Sequence, residues 1–504
     1  MSSFSKNSVL NLIFNYSNIV FNLITGILLV PLYLRQIPLD MYGSYLVASG
    51  IAGLIGLLEF GLSMVITQRL AKSFAKSDWT SFRQTTHSGI VAASLLFTLT
   101  CAVTLATSTQ MGWLTKVRAD HQADLQIAFI LLGVAAGASI FLNLFGSIFQ
   151  ALLKAGALGA VNLVSATVGV AAVLVAFTWH PSLVAIACGP LVRAVCATLL
   201  LLTSAMRSLS EASLLPQMAP FAATLRLLRS CGPIFIGSVS KSLAENAQNL
   251  LLASAVSPTA IAILALTQKA LQVCNMILAP IGSSIYSNLT QIKEKATPVY
   301  FSSLLGIAIG SHFLLSVLLV ATATTFNAEF VSLWVGREKF GGALLSLMLS
   351  LGTLITIRFS FFGFLIYSTG EFRKPLVLET SYSLTKIVIL FAIVGKLGLY
   401  AVPIADIIAG FIFLFFLSTR LMAPHVAQSR FGTGLYYRGW AEFAAIATFG
   451  YFLASAVQPD RNWFGLGAWI VLFMLVMTAC MLAFNAAFVR DAVAFRRKRA
   501  VEFG

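Results

Sequence analysis

Five polar residues recur along the first apolar stretch of the chain at intervals of four and three: Asn11, Asn15, Asn18, Asn22 and Thr25. At 100° per residue they fall within an arc of about 80°, a polar stripe on an otherwise apolar helix. Amides at membrane depth either hydrogen-bond a neighbouring helix or line a wet space. One or two would serve the first purpose, whereas a stripe along more than half a helix fits the second. A later stretch repeats the design with charge added. Ser238, Lys241, Ser242, Glu245, Gln248 and Asn249 share an arc of about 120°, and Gln268, Lys269, Gln272 and Asn275 follow on one side of the next apolar run. Stripes that answer one another predict a hydrated cleft. Its positive excess would attract an anion, for which a lipid-linked phosphate is the obvious candidate.

The ionisable residues at membrane depth sharpen this. There are five cations (Arg193, Lys241, Lys269, Arg358, Lys386) and three anions (Glu59, Glu245, Asp406) within the apolar runs. Each costs roughly 2.5–3.5 kcal/mol at a helix centre, so none is expected to face lipid. Lys241 and Glu245, spaced i,i+4, can pair. Lys241 and Lys269 lie on polar faces and read as cavity lining. Arg358 and Lys386 suit a cavity or a structural pair equally, and Arg193 and Glu59 read as structural. Asp406 and Glu245 are candidates for a coupling proton or Na⁺, with salt-bridge partnership as the competing role for each.

The elements that must hold these residues follow from composition. The chain has 504 residues, 58% hydrophobic and 10% charged, with a mean hydropathy of +0.90. Soluble domains carry about a quarter charged residues, so this is an all-α polytopic membrane protein. Apolar runs long enough to span predict fourteen helices: 11–34, 42–66, 85–108, 125–150, 158–178, 182–205, 231–254, 260–287, 299–322, 342–367, 376–395, 400–420, 441–457 and 464–487. The first is too long and too polar for a signal-peptide core and reads as a retained span.

With both termini placed inside, the inner segments hold twenty-one Lys and Arg and the outer loops seven, the other five lying within spans. This three-to-one bias fits the positive-inside rule and accounts for most of the net charge of +16 without nucleic acid. The six cysteines and five histidines lack metal-ligand spacing, so no metal and no cofactor is expected. No nucleotide-binding loop is visible, and the short outer loops disfavour a membrane glycosyltransferase or ligase.

Spans one to six and seven to twelve start at a nearly constant offset of 214–220 residues. Six spans per copy is even, so both copies run the same way across the membrane, as in transporters built from parallel repeats. The expected organisation is an N-lobe over 1–205, a linker over 206–230, a C-lobe over 231–420, and an appended helix pair with a basic tail over 421–504. The second half of the linker reads equally as an interfacial amphipathic helix or as a loop.

The segment 31–71, "PLYLRQIPLDMYGSYLVASGIAGLIGLLEFGLSMVITQRLA", resembles the signature of polysaccharide-transport flippases of the multidrug/oligosaccharidyl-lipid/polysaccharide exporter superfamily. Pro31, Arg35, Tyr42, Gly43, Tyr45, Phe60, Gly61 and Leu62 match its Tyr-Gly-x-Tyr and Asp-Phe-Gly-Leu pattern. Glu59 replaces the common Asp, and Pro38 stands where Gly is frequent. In the second-lobe counterpart, 248–272, Gln248 and Asn249 replace a common Asp-Arg pair, while Lys269 matches a position that is often basic.

The resemblance implies two six-helix lobes around a V-shaped cavity. It implies alternating-access transfer of an undecaprenyl-pyrophosphate-linked oligosaccharide from the cytosolic to the periplasmic leaflet of a bacterial inner membrane. Lys241 and Lys269 would meet the pyrophosphate, and amides such as Asn15, Asn18, Asn22, Gln248 and Gln272 the sugar hydroxyls. Arg358, Lys386 and Glu245 complete the candidate cavity residues. A polysaccharide polymerase and co-polymerase are conceivable partners. The alternatives are a peptidoglycan-precursor flippase, which shares fourteen spans and a cationic cavity, and a cation-coupled drug exporter, which should need an acidic one.

Overall fold

In lipid, every backbone polar group must be satisfied within its own segment, so a chain of this composition is driven to helices. A computed structural model describes residues 3–112, 119–152, 155–211, 213–293, 297–370, 373–427, 429, 441–446, 448–449 and 462–502. Among these, the regular structure is helical throughout. The chain divides into two compact units, Met1–Ala262 and Ile263–Gly504.

The first unit opens with α1 (Ser3–Gln36), α2 (Leu39–Gly56), α3 (Leu62–Ala75) and α4 (Trp79–Ser108). It continues with α5 (Ala119–Ala151), α6 (Ala155–Trp179), α7 (Leu183–Glu211) and α8 (Phe221–Ala255). Helix α5 is central, packed by α2, α3, α4 and α7. Its Ile140, Leu144, Phe145 and Ile148 meet Leu62, Ile66 and Leu70 of α3 and Leu201 and Ala205 of α7 in one buried cluster. Residues 221–230, expected as either a separate amphipathic helix or a loop, are the first turns of the 35-residue α8. Thr224, Leu227 and Cys231 of α8 are buried, whereas Phe221 and Leu225 are exposed.

The boundary between the units falls after Ala262, so α8, which opens the expected C-lobe, packs with the first unit. Small residues of α2 explain why: a Cβ added at Gly50 or Gly53 would touch Asn249 or Asn246 of α8. Further along α2, a Cβ on Gly43 would run into the Pro258 carbonyl. The glycine of the Tyr42-Gly43-Ser44-Tyr45 motif thus lets two backbones touch.

Helices α2 and α3 form one span, Leu39–Ala75, interrupted by a short 3-10 turn at Leu57–Glu59. Phe60 (φ 56°) and Gly61 (φ 70°) are both left-handed there. Two such residues in a row end a right-handed helix, because its carbonyl ladder cannot continue through them.

The second unit takes the second half of α9 (Pro258–Thr267), then α10 (Lys269–Lys293), α11 (Pro298–Trp334) and α12 (Ala343–Ser368). It ends with α13 (Arg373–Leu397), α14 (Ala401–Phe416), the short α15 (Ala423–Val426), α16 (Trp463–Phe484) and α17 (Ala486–Glu502). Helices α9 and α10 form a pair bent by 52°. Ile355, Phe359, Phe362 and Ile366 of α12 meet Leu289 of α10, Tyr382 of α13 and Ala409 and Leu414 of α14 in this unit's core. A π-helical stretch, Leu417–Met422, carries α14 on into α15. At 37 residues, α11 is about 55 Å long, well beyond a hydrocarbon core of about 30 Å.

Among the described residues, ten helical segments are long and apolar enough to cross a membrane, or eleven with the bent pair. The tally differs from fourteen for local reasons. Runs 376–395 and 400–420 merge into one continuous segment, Arg373–Val426. Span 441–457 falls largely outside the described residues, as do several side chains of span 231–254.

Replacing Gly43 by Ala should lower stability by about 1–3 kcal/mol, the usual cost of overpacking. Gly232, which has nothing within 4 Å of an added Cβ, should tolerate Ala. Thermal unfolding of the two variants in detergent checks both outcomes.

Candidate functional site

Among the described side chains of the α1 stripe, Asn18 and Asn22 each make one hydrogen bond to a neighbouring helix and one within α1, and Asn22 is exposed. Asn18 Nδ2 donates to the carbonyls of Phe14 (2.9 Å) and of Gly159 on α6 (3.2 Å). Asn22 Nδ2 donates to the Asn18 carbonyl, and its Oδ1 accepts from Arg193 Nη1 of α7 at 3.2 Å. Thr25 donates to the Phe21 carbonyl at 2.8 Å. The bonds to Gly159 and from Arg193 join α1 to α6 and α7. The side chains of Asn15, Lys241 and Glu245 lie outside the described residues, while Gln248 is buried on α8 at 9% exposure.

Beside this seam, α3, α5 and α6 line an open cavity of about 640 Å³. Ser63, Thr67 and Gln68 of α3, Asn143, Ser147 and Gln150 of α5, and Asn162 of α6 supply its polar wall, with Met64, Leu142 and Leu158 as apolar patches. Among the described residues, no ionisable side chain lines it. Glu59 stands behind the wall. Its Oε2 accepts from Asn143 Nδ2 at 2.8 Å and its Oε1 from the Ser63 backbone N–H at 3.4 Å. The second bond satisfies a donor in the first turn of α3, where a helix leaves its N–H groups orphaned. The Ser147 hydroxyl donates to the Ser63 carbonyl at 2.9 Å and the Asn143 carbonyl at 2.8 Å. One side of the cavity is therefore preset by hydrogen bonds.

This cavity was not expected from the sequence. Its contributors sit in three separate spans, and no single helix carries a long stripe. The available signal was the 4-3 spacing of Asn143, Ser147 and Gln150, which repeats the rhythm of α1 over a shorter distance.

In the second unit, Lys269 is the first residue of α10, at the bend. It is half-buried and has no ion-pair partner among the described residues. The break is held by side chains around Thr267. Asn327 Nδ2 donates to the Thr267 carbonyl and to Ser346 Oγ, both at 2.8 Å, and the Gly341 N–H donates to Thr267 Oγ1 at 2.9 Å. Gln272, one turn beyond Lys269, is exposed.

Lys386 and Asp406 of this unit pair, and Arg358 packs against aromatic rings. Lys386 Nζ lies 2.6 Å from Asp406 Oδ1, and Tyr382 donates its hydroxyl to the same oxygen at 3.2 Å. Thr356 Oγ1 lies 3.4 Å from that hydroxyl, which links α12, α13 and α14. Arg358, an expected candidate for the cavity, is wholly enclosed. Its Nη1 donates to the Ile309 carbonyl at 3.1 Å, and its guanidinium carbon lies 4.0 Å and 4.9 Å from the ring centres of Phe313 and Phe362. Such desolvated cation–π contacts are worth about 2 kcal/mol.

Apolar helices of this length and number define a multi-pass helical membrane protein. Residues 8–293, more than half of the chain, match the polysaccharide biosynthesis protein family, and the chain belongs to that family.

Among solved structures, lipid II flippase MurJ in an inward closed conformation superposes with a TM-score of 0.71 at 12% identity, covering 95% of this chain and 100% of that one. An inward-facing multidrug resistance MATE family transporter of the MOP superfamily gives 0.61 at 15% identity, over 81% and 95%. A mutant of VcmN, a MATE transporter of Vibrio cholerae, gives 0.53 at 13% identity, over 84% and 99%. The fold is the one these MurJ and MATE structures share. No curated protein matches the sequence.

Removing Asp406 alone would strand the buried Lys386 ammonium. Asp406→Ala should therefore cost about 3–5 kcal/mol, whereas the double change Lys386→Met/Asp406→Leu should restore most of the loss. A double-mutant cycle of melting temperatures reads the coupling.

Proposed function

We propose that this protein is a flippase. It moves an undecaprenyl-pyrophosphate-linked oligosaccharide repeat unit from the cytosolic to the periplasmic leaflet of a bacterial inner membrane by alternating access. The observation that carries the reading is the membership of residues 8–293 in the polysaccharide biosynthesis family on a fold shared with a lipid II flippase. The chemistry of the polar residues agrees. Neutral amides and hydroxyls suit sugar hydroxyls, and Lys269, at the first position of a helix, adds a cation where helix N–H groups already favour an anion. Export of cationic drugs would call for an acidic or aromatic binding wall, and the described lining of the first unit's cavity has neither. The pairing of Lys386 with Asp406 leaves Asp406 as a structural anchor in this reading, not a free coupling site.

A peptidoglycan-precursor flippase is the second reading, favoured by the 0.71 superposition on MurJ. The two differ in what accumulates when the protein is missing. Cells lacking it should build up lipid-linked oligosaccharide on the cytosolic face while lipid II stays normal, and wild type should relieve the build-up. Lys241→Ala/Lys269→Ala should restore transport about 10- to 100-fold less well, as expected for loss of a charge-assisted contact of about 1.5–3 kcal/mol. Accumulation of lipid II instead would select the second reading, and greater sensitivity to cationic drugs with neither lipid raised would refute both.

A further inference from the structure

A second, smaller cavity opens at one end of the first unit, and the transport reading makes no use of it. Its lining is Phe149 near the end of α5, Ala157 in the first turn of α6, and Thr203, Ser204, Arg207 and Ser208 in the last turns of α7. Its volume is about 380 Å³, at the low end of small-molecule sites, about 300–1,000 Å³. The guanidinium of Arg83 donates to the Ser213 carbonyl, which places the end of α7 beside the start of α4. The basic residues Arg69, Lys72, Lys76 and Arg83 assign this end to the cytosol.

The polar lining suits a phosphate. Arg207 is exposed and makes no hydrogen bond or ion pair among the described residues. The same holds for the hydroxyl of Ser204, three residues earlier. Thr203 spends its proton on the carbonyls of Leu199 (2.9 Å) and Leu200 (3.1 Å), and its oxygen is left to accept. A guanidinium beside a free hydroxyl offers a phosphate a charge-assisted fork and a further donor. Glu211 stands one turn beyond Arg207, exposed and outside the lining, and does not pair with it. Lys154, next in sequence to the first residue of α6, lies outside the described residues, and its charge has the same sign as that of Arg207.

Deeper in the membrane the same helix faces turn apolar. Leu199, one turn before Thr203 on α7, is 54% exposed, and Val164, two turns after Ala157 on α6, is 51% exposed. At 100° per residue each lies within about 40° of the cavity residue above it. A cationic head site at the membrane edge, open to the side and continued by an exposed apolar strip, has the outline of a phospholipid. A soluble phosphate would leave the strip unused. The small volume suits a phosphodiester with a short alcohol headgroup better than a pyrophosphate that bears sugars.

We propose that this cavity holds the headgroup of an anionic glycerophospholipid of the cytosolic leaflet. Arg207 and Ser204 meet its phosphate, and an acyl chain follows Leu199 and Val164. Basic pockets between membrane helices on the cytosolic side are the usual seats of anionic headgroups. The bound lipid joins the start of α6 to the end of α7 and so stabilises the first unit. This site does not depend on the flippase reading.

The test titrates the purified full-length protein in detergent and reads its melting temperature. The probes are dioleoyl phosphatidylglycerol, dioleoyl phosphatidylcholine, inorganic phosphate and undecaprenyl phosphate. Phosphatidylglycerol should raise the melting temperature saturably, at concentrations at least about 10-fold below those at which phosphatidylcholine acts. Arg207→Gln should weaken the phosphatidylglycerol effect about 10-fold or more, as expected for the loss of a charge-assisted contact. Arg226→Gln, which removes another exposed cation on the cytosolic side, should respond as wild type does. Both variants should melt as wild type does without added lipid, which shows that they are folded.

Equal losses in the two variants would reduce the effect to general charge attraction and overturn the site. Protection by inorganic phosphate as strong as that by phosphatidylglycerol would make the ligand a soluble anion. Tighter protection by undecaprenyl phosphate that is lost in Arg207→Gln would make it the carrier lipid. Either result would overturn the phospholipid assignment, as would the absence of saturable protection by phosphatidylglycerol.

Discussion

A polar side chain among apolar helices must be answered by another group, and much of this structure is arranged around that demand. Glu59 shows how. Its carboxylate lies at a chain break in the second span, and both oxygens are engaged, one by Asn143 of α5 and one by the first turn of α3. An isolated carboxylate would be expensive to hold at this depth. Here it fixes the angle at which α3 leaves the break and ties that helix to the centre of its unit. Lys386 and Asp406 solve the same problem as a pair, and Arg358 solves it with two aromatic faces and a carbonyl. In the first unit, Gln68, Gln150 and Asn162 line one open cavity, where Gln68 and Gln150 are exposed.

The breaks are the second theme, and each has a local cause. In the second span, Phe60 and Gly61 take left-handed backbone angles, and the helix cannot run through them. In the bent pair Pro258–Thr267 and Lys269–Tyr286, the Thr267 carbonyl is taken by Asn327 from α11. Both breaks expose backbone or charge at points where a straight helix would present only side chains. Gly43 shows the complementary device: a missing side chain that lets α2 meet the start of α9 backbone to backbone.

The all-helical character and the positions of most spans were legible in the sequence, because hydropathy is a local signal, whereas the break at Glu59-Phe60-Gly61-Leu62 falls inside the expected span 42–66 and came only with the structure. The motif glycines were legible as a resemblance, and their physical roles emerged only with the neighbours in place. The α1 stripe was legible as a stripe, but its neighbours were not. Periodicity shows that Asn18 and Asn22 share a face, and it cannot show that this face meets Gly159 and Arg193. Arg358 illustrates the limit on charges: its enclosure depends on Phe313 and Phe362, each distant or unremarkable in sequence. The division into packed units after Ala262 differs from the repeat-based lobes, since the repeat offset marks where a copy begins and not which helices its first span packs against. The cavity was hidden because its wall is shared among three helices.

The central claim, that this protein carries lipid-linked sugar between leaflets, is tested most directly by reconstitution. Vesicles holding the purified protein would receive a fluorescent, short-chain pyrophosphate-linked oligosaccharide in one leaflet, and a membrane-impermeant quencher would report its arrival in the other. Protein-dependent crossing that is lost with the sugar-free lipid and not reproduced by a cationic dye is the predicted result. Transport of the dye, with the glycolipid left where it was loaded, would contradict the account.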